Sequence, residues 1–257
     1  MANLLSSDFY RLFKSKSFYI CTVVAMFFMA LSIFVLNWAT KATSGTENSA
    51  SLSMIYKDGI TYGITAFASS NVQLILSIIV AIFVTSEFTY GTMKNVVSKG
   101  FSKLLIYFSK LITMVVATLI IIFATMLMGT VCAAILTGKM GALTPEVLKI
   151  IGIETLLNTA RASLFVLVAF LVRNLGGAIA INIIGVISIE PMIFMLLQYL
   201  VKSKIKFSDY SLSYNISYYL GNTIHTEDYI RSLIVGVVFL ALSIIAGIFA
   251  FQKADVK

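Results

Sequence analysis

Long apolar runs separated by short polar ones dominate the chain. A helix needs about 20 mostly apolar residues to cross the hydrocarbon core of a bilayer. Six segments meet that requirement, at approximately 18–38, 64–85, 104–136, 150–172, 176–200 and 230–251. The third is long enough to tilt or to project beyond the bilayer. The first exceeds the apolar core of a signal peptide, about 7–15 residues, and is read as a retained helix. The pattern predicts an all-α polytopic membrane protein with one transmembrane domain over residues 1–257.

Two shorter stretches show helical spacing outside those spans. Residues 3–16, NLLSSDFYRLFKSK, put Leu5, Phe9, Leu12 and Phe13 on one face and Ser6, Ser7, Arg11 and Lys14 on the other. Such a helix lies in the membrane interface or extends the first span. Residues 86–103 read SEFTYGTMKNVVSKGFSK. Thr92 can cap a short helix over 92–100, Gly100 can end it in the left-handed conformation, and Ser102 can cap the next. Met93, Val96 and Val97 then form an apolar face, opposite Lys94, Asn95, Ser98 and Lys99. That face suits a groove on a partner protein or the lipid surface.

Composition agrees with a bilayer as solvent. Apolar types make up 59% of the 257 residues and charged types 12%, and mean hydropathy is +0.97. Globular proteins average about 45–50% and about 25%. The net charge is nevertheless +8. One side of the six spans carries ten basic residues against three acids, and the other eight against six. The Lys and Arg excess puts the first side, with both termini, in the cytoplasm. Lys202, Lys204 and Lys206 dissent as an outer cluster suited to headgroups or anionic ligands. Basic residues spread between apolar runs do not make a nucleic-acid footprint. Two cysteines and one histidine do not make a zinc cluster or a multi-His protease site. No GxxxxGK[ST] phosphate loop occurs. No metal and no cofactor are expected in this chain.

Charge inside the bilayer is costly and marks function by default. Glu154, Asn158 and Arg161 share one helical face in the fourth span, and Glu190 precedes Pro191 in the fifth. Arg161 and Glu190 are natural partners at mid-depth. The group is either an internal ion pair or the wall of a pathway or of an interface between two copies. Pro191 predicts a kink or break. The segment 201–229 holds most of a set of six tyrosines, Tyr199, Tyr210, Tyr214, Tyr218, Tyr219 and Tyr229. They read as an interfacial belt or as a stacking surface for a substrate.

Six spans, an amphipathic N-terminal helix and the Glu-x-x-x-Gly-Thr stretch of Glu87, Gly91 and Thr92 resemble ABC transporter permeases of the type-2 exporter class. The chain is most similar in style to small Firmicute permeases of bacitracin resistance and lantibiotic immunity. The resemblance implies that the helix at 92–100, with Glu87, Gly91, Thr92, Met93, Val96 and Val97, docks on a separate ATPase subunit. It also implies a fifth span broken near Pro191, with a re-entrant outer segment. ATP and magnesium would sit on that partner, and this chain would not be an enzyme. Two ATPase copies, a second permease (identical or homologous) and an amphiphilic substrate, an antimicrobial peptide, complete the expected assembly in a bacterial cytoplasmic membrane. A stand-alone secondary transporter or channel is the alternative; no clear repeat of spans 1–3 in spans 4–6 supports it.

Overall fold

A computed structural model of the chain describes residues 2–42, 58–201, 206–219 and 225–253. Among them are helices and turns but no strand. The helices are α1 (Ala2–Lys14), α2 (Lys16–Ala42), α3 (Gly59–Ile64), α4 (Ser70–Thr89), α5 (Thr92–Ser98), α6 (Lys103–Thr137), α7 (Pro145–Val172), α8 (Leu175–Ile181), α9 (Glu190–Val201), α10 (Leu212–Tyr218) and α11 (Thr226–Lys253). A π-helical stretch, Asn182–Ile189, joins α8 to α9. Six helices are long and apolar enough to span a membrane: α2, α4, α6, α7, the composite Leu175–Val201, and α11. The chain is an all-α polytopic membrane protein.

Local chemistry starts and stops these helices. Asp58, Ser102, Thr144, Asn174 and Ser211 each accept a hydrogen bond from a backbone N–H in the first turn of α3, α6, α7, α8 and α10. Gly138 ends α6 in the left-handed conformation at φ 71°. The α4 and α7 helices are the most buried spans, and the composite fifth is the most exposed.

The second span differs from its sequence reading of 64–85. The helix begins at Ser70, behind α3 and a 3₁₀ turn, Thr65–Phe67. Residues 58–69 dock on α6 instead. Gly59 N–H and Ile60 N–H donate to the carbonyls of Lys139 and Met140, both at 3.0 Å. A Cβ on Gly59 would stand 2.6 Å from the Thr130 carbonyl oxygen, so only glycine allows this approach.

The fifth span is not interrupted at Pro191. The winding widens to π over the preceding eight residues, and the Glu190 N–H bonds Gly185 O. Pro191 falls in the first turn of α9, directly after the widened π turns. The chain then turns back. Ser211 and Leu212 lie beside Glu190, eleven residues or about 17 Å below Val201 along the helix. The segment 206–219 is therefore re-entrant. Lys206 is exposed; Lys202 and Lys204 lie outside the described residues.

One close approach carries a stability prediction. A Cβ on Gly247 of α11 would stand 2.6 Å from Tyr107 Cε2 and closer still to the hydroxyl end of that ring. Tyr107 is fully buried and donates to Ser243 O. It packs on Phe170, and Phe170 packs on Phe251. Gly247→Ala is expected to cost about 1–3 kcal/mol by overpacking. Gly152→Ala, where nothing lies within 4 Å, should be neutral or gain about 0.5–1 kcal/mol of helix preference. Melting midpoints of the two variants in detergent check the contrast.

Candidate functional site

The chain gathers its buried charge in two places. The first lies where α1 meets α4 and α6. Lys110 forms ion pairs with Asp8 and, at 2.5 Å, with Glu87 Oε1. Arg11 forms an ion pair with the same Glu87 oxygen and donates from Nη2 to Phe83 O at 2.7 Å. The Arg11 guanidinium also lies 3.9 Å from the Phe83 ring centroid. Ser109 Oγ donates to Asp8 Oδ2 at 2.5 Å. Two acids and two bases make the cluster neutral, which is what lets Asp8, Glu87 and Lys110 stay buried.

This arrangement rotates α1 relative to its sequence reading. Leu4, Asp8 and Leu12 form the buried stripe, while Phe13 is exposed. Asp8 was not among the predicted site residues, and Lys110 was counted as a loop charge. The spacing Leu4, Asp8, Leu12 and a lysine two turns inside an apolar span were the signals present.

The short helix α5 follows directly. Gly91 is its N-terminal cap at φ 67°, Thr92 Oγ1 donates to Glu87 O, and Gly100 leaves the helix at φ 84°. The apolar face packs largely within the chain. Met93 is only 1% exposed, and Val96 and Val97 pack against the same core. Burying that face on α4 removes more apolar surface from water than leaving it free, so the chain uses it internally. Thr92, Lys94, Asn95, Ser98 and Lys99 face outward. Of the expected docking residues, Glu87 and Met93 are inside, and Gly91, Val96 and Val97 are partly covered.

The second network crosses the middle of the bundle. Gln73 Nε2 donates to Phe67 O at 2.8 Å and to Asn158 Oδ1 at 2.7 Å. Asn158 Nδ2 donates to Glu154 O at 2.9 Å and reaches Glu154 Oε2 at 3.4 Å. The three residues Glu154, Asn158 and Arg161 share the buried face of α7. Arg161 and Glu190 make no direct ion pair. Arg161 Nη2 donates to Ser213 Oγ at 2.6 Å, and Ser213 Oγ donates to Glu190 Oε2 at 2.7 Å. Glu190 also accepts from Leu212 N–H at 2.8 Å, Ser213 N–H at 3.3 Å and Ser211 Oγ at 3.1 Å. The carboxylate thus caps α10, where free N–H groups and the helix dipole favour negative charge. The re-entrant segment stands between the two charges and bridges them through Ser213, while Arg161 Nε is buried without a hydrogen-bond partner.

That segment is tied to α11 as well. Ser232 Oγ donates to Asn215 Oδ1 at 2.8 Å. Arg231 pairs with Asp228 at 3.2 Å and lies 4.8 Å from the Tyr218 ring centroid. Tyr214, Tyr218, Tyr219 and Tyr229 pack in succession, with ring centroids 5.6, 5.8 and 5.9 Å apart in tilted, edge-on and stacked arrangements. Only Tyr199 and Tyr210 of the six tyrosines are exposed. Burial pushes the Tyr219 phenol up to about 12 and the Tyr214 phenol up as well. Both hydroxyls therefore stay protonated at neutral pH.

Among the described residues, no group of three or more His, Cys, Asp or Glu side chains could hold a metal ion. The charged clusters tie side chains and helices to one another. No curated protein matches the chain. Residues 4–189, well over half of the sequence, match the family model described as ABC-2 family transporter protein. With this match and its six spans, the chain belongs to the ABC-2 transporter family as a multi-pass permease component of an ABC transporter.

Proposed function

We propose that the chain is the membrane-spanning subunit of an ATP-driven exporter, with ATP hydrolysis on a separate subunit that binds at α5. It sits in the bacterial cytoplasmic membrane with both termini in the cytoplasm. Two ATPase copies and a second permease, identical or homologous, complete the transporter. Its substrate is amphiphilic, and an antimicrobial peptide removed in self-immunity or resistance fits so small a permease.

The observation that carries this reading is the placement of α4. One end holds Glu87 in the α1–α6 charge cluster, directly before α5. The other end holds Gln73 in the network with Asn158. The two residues are about 21 Å apart along one helix. Pressure on α5 moves α4 as a rod, because Met93 packs into the core and Glu87 is held by two cations. The displacement reaches Asn158 and Arg161 on α7, and through Ser213 the re-entrant segment. A step of this kind is an alternating-access motion.

The test is gentle purification of tagged protein in detergent. An ATPase bearing GxxxxGK[ST] is expected at near-stoichiometric yield, with hydrolysis raised when the permease is added back. Folded, monodisperse permease that holds no ATPase would favour a stand-alone transporter or channel.

A further inference from the structure

We propose that the surface of the ATPase subunit that receives α5 is acidic and polar, and that it recognises Lys94 and Lys99. The inference rests on the reading of the chain as an ATPase-coupled permease and specifies the chemistry of that partner.

The apolar side of α5 is already occupied by its own chain: Met93 is buried, and Val96 and Val97 are half-covered. What α5 offers is its other side, with Thr92, Lys94, Asn95, Ser98 and Lys99 exposed. Neither lysine side chain engages another group among the described residues. Among the described residues at this end, the acids are Asp8 and Glu87, and both are buried and neutralised by Lys110 and Arg11. The internal cluster thereby removes every described carboxylate that could have balanced Lys94 and Lys99. Exposed Lys14, Lys16 and Lys253 add to the same sign. Among the described residues, the exposed charges at this end are all positive.

A lipid surface fits this face less well. An amphipathic helix on a bilayer sinks its apolar side into the acyl boundary and turns its charges to water. In α5 that apolar side is taken up by the protein core. A partner reached through the polar side sits in water and meets ammonium groups and an amide. Complementary carboxylates would steer it into place and fix its orientation.

The test uses the full permease in nanodiscs and the Walker-motif ATPase that it holds, identified by peptide sequencing and purified separately. Lys94→Glu with Lys99→Glu is expected to weaken binding about tenfold or more, while Lys94→Arg with Lys99→Arg keeps it. Wild-type affinity should fall between about 50 and about 300 mM salt, and the Glu variant should lose most of that dependence. Both lysines are exposed, so insertion and monodispersity should be unchanged. Binding that ignores the charge reversal would overturn the acidic surface and leave the permease–ATPase pairing intact. Binding that needs phosphatidylglycerol and disappears in pure phosphatidylcholine would show that the lysines address lipid, and would overturn it too. A wild-type permease that holds no ATPase would remove the pairing itself and this inference with it.

Discussion

Lys110→Met is expected to lower stability by about 3–5 kcal/mol, the cost of removing one partner from a buried ion pair. Among the described residues, its ammonium is the only cation on Asp8 and one of two on Glu87. With Lys110 gone, Asp8 retains only the Ser109 hydroxyl. Lys110→Met combined with Asp8→Asn should recover a large part of the loss, because the remaining Arg11–Glu87 pair is neutral. Arg11→Gln should cost far less, since the Arg11 side chain is 36% exposed and water can replace part of its role. Melting midpoints of detergent-solubilised protein separate the three. Equal losses for Lys110→Met and Arg11→Gln would show that Lys110 does not hold the cluster together.

Arg161→Leu is expected to cost a similar amount, for a different reason. Arg161 is buried on the same face of α7 as Glu154, and Ser213 bridges it to Glu190. Its removal leaves two acids without a cation in the middle of the bundle. Adding Glu154→Gln to Arg161→Leu should restore part of the stability, because Glu190 still has the α10 N–H groups and two serine hydroxyls. Ser213→Ala keeps every charge and breaks only the bridge, so about 1–3 kcal/mol is expected. If Ser213→Ala proves as damaging as Arg161→Leu, the hydrogen bond rather than the charge is what holds the segment. If Glu154→Gln restores nothing, Arg161 does not compensate Glu154.

The parts of this fold that were legible in the sequence are those set by nearest neighbours or by the solvent. Membrane thickness dictates the length of apolar runs, so six spans could be counted. Gly100 and Ser102 end one helix and begin the next by backbone and hydroxyl chemistry within a few residues. The polar stripe of Glu154, Asn158 and Arg161 follows from helical spacing alone, and it is buried as a unit. The links between distant elements were hidden. Ser213 joins Arg161 to Glu190 only because residues 206–219 fold back, and no periodicity reports a reversal of direction. Gln73 lies inside the second apolar run with nothing around it to name a partner, and that partner lies 85 positions away. The inward turn of Met93 was equally hidden, since an amphipathic pattern does not say which of two surfaces its apolar side will cover.

The salt link between Asp8 and Lys110 spans 102 positions, and this orders events on the ribosome. The first helix to be made cannot lock until the third span has emerged. At translation rates of about 5–20 residues per second, that wait is about 5–20 s. During it, Asp8 and Arg11 must remain hydrated, so α1 rests at the lipid boundary as a loose segment while α2 and α4 are already threaded through. The arrival of Lys110 supplies the cation that draws α1 into place. The amino-terminal helix thus locks only after the third span has been made, and a chain arrested before residue 110 would leave it open.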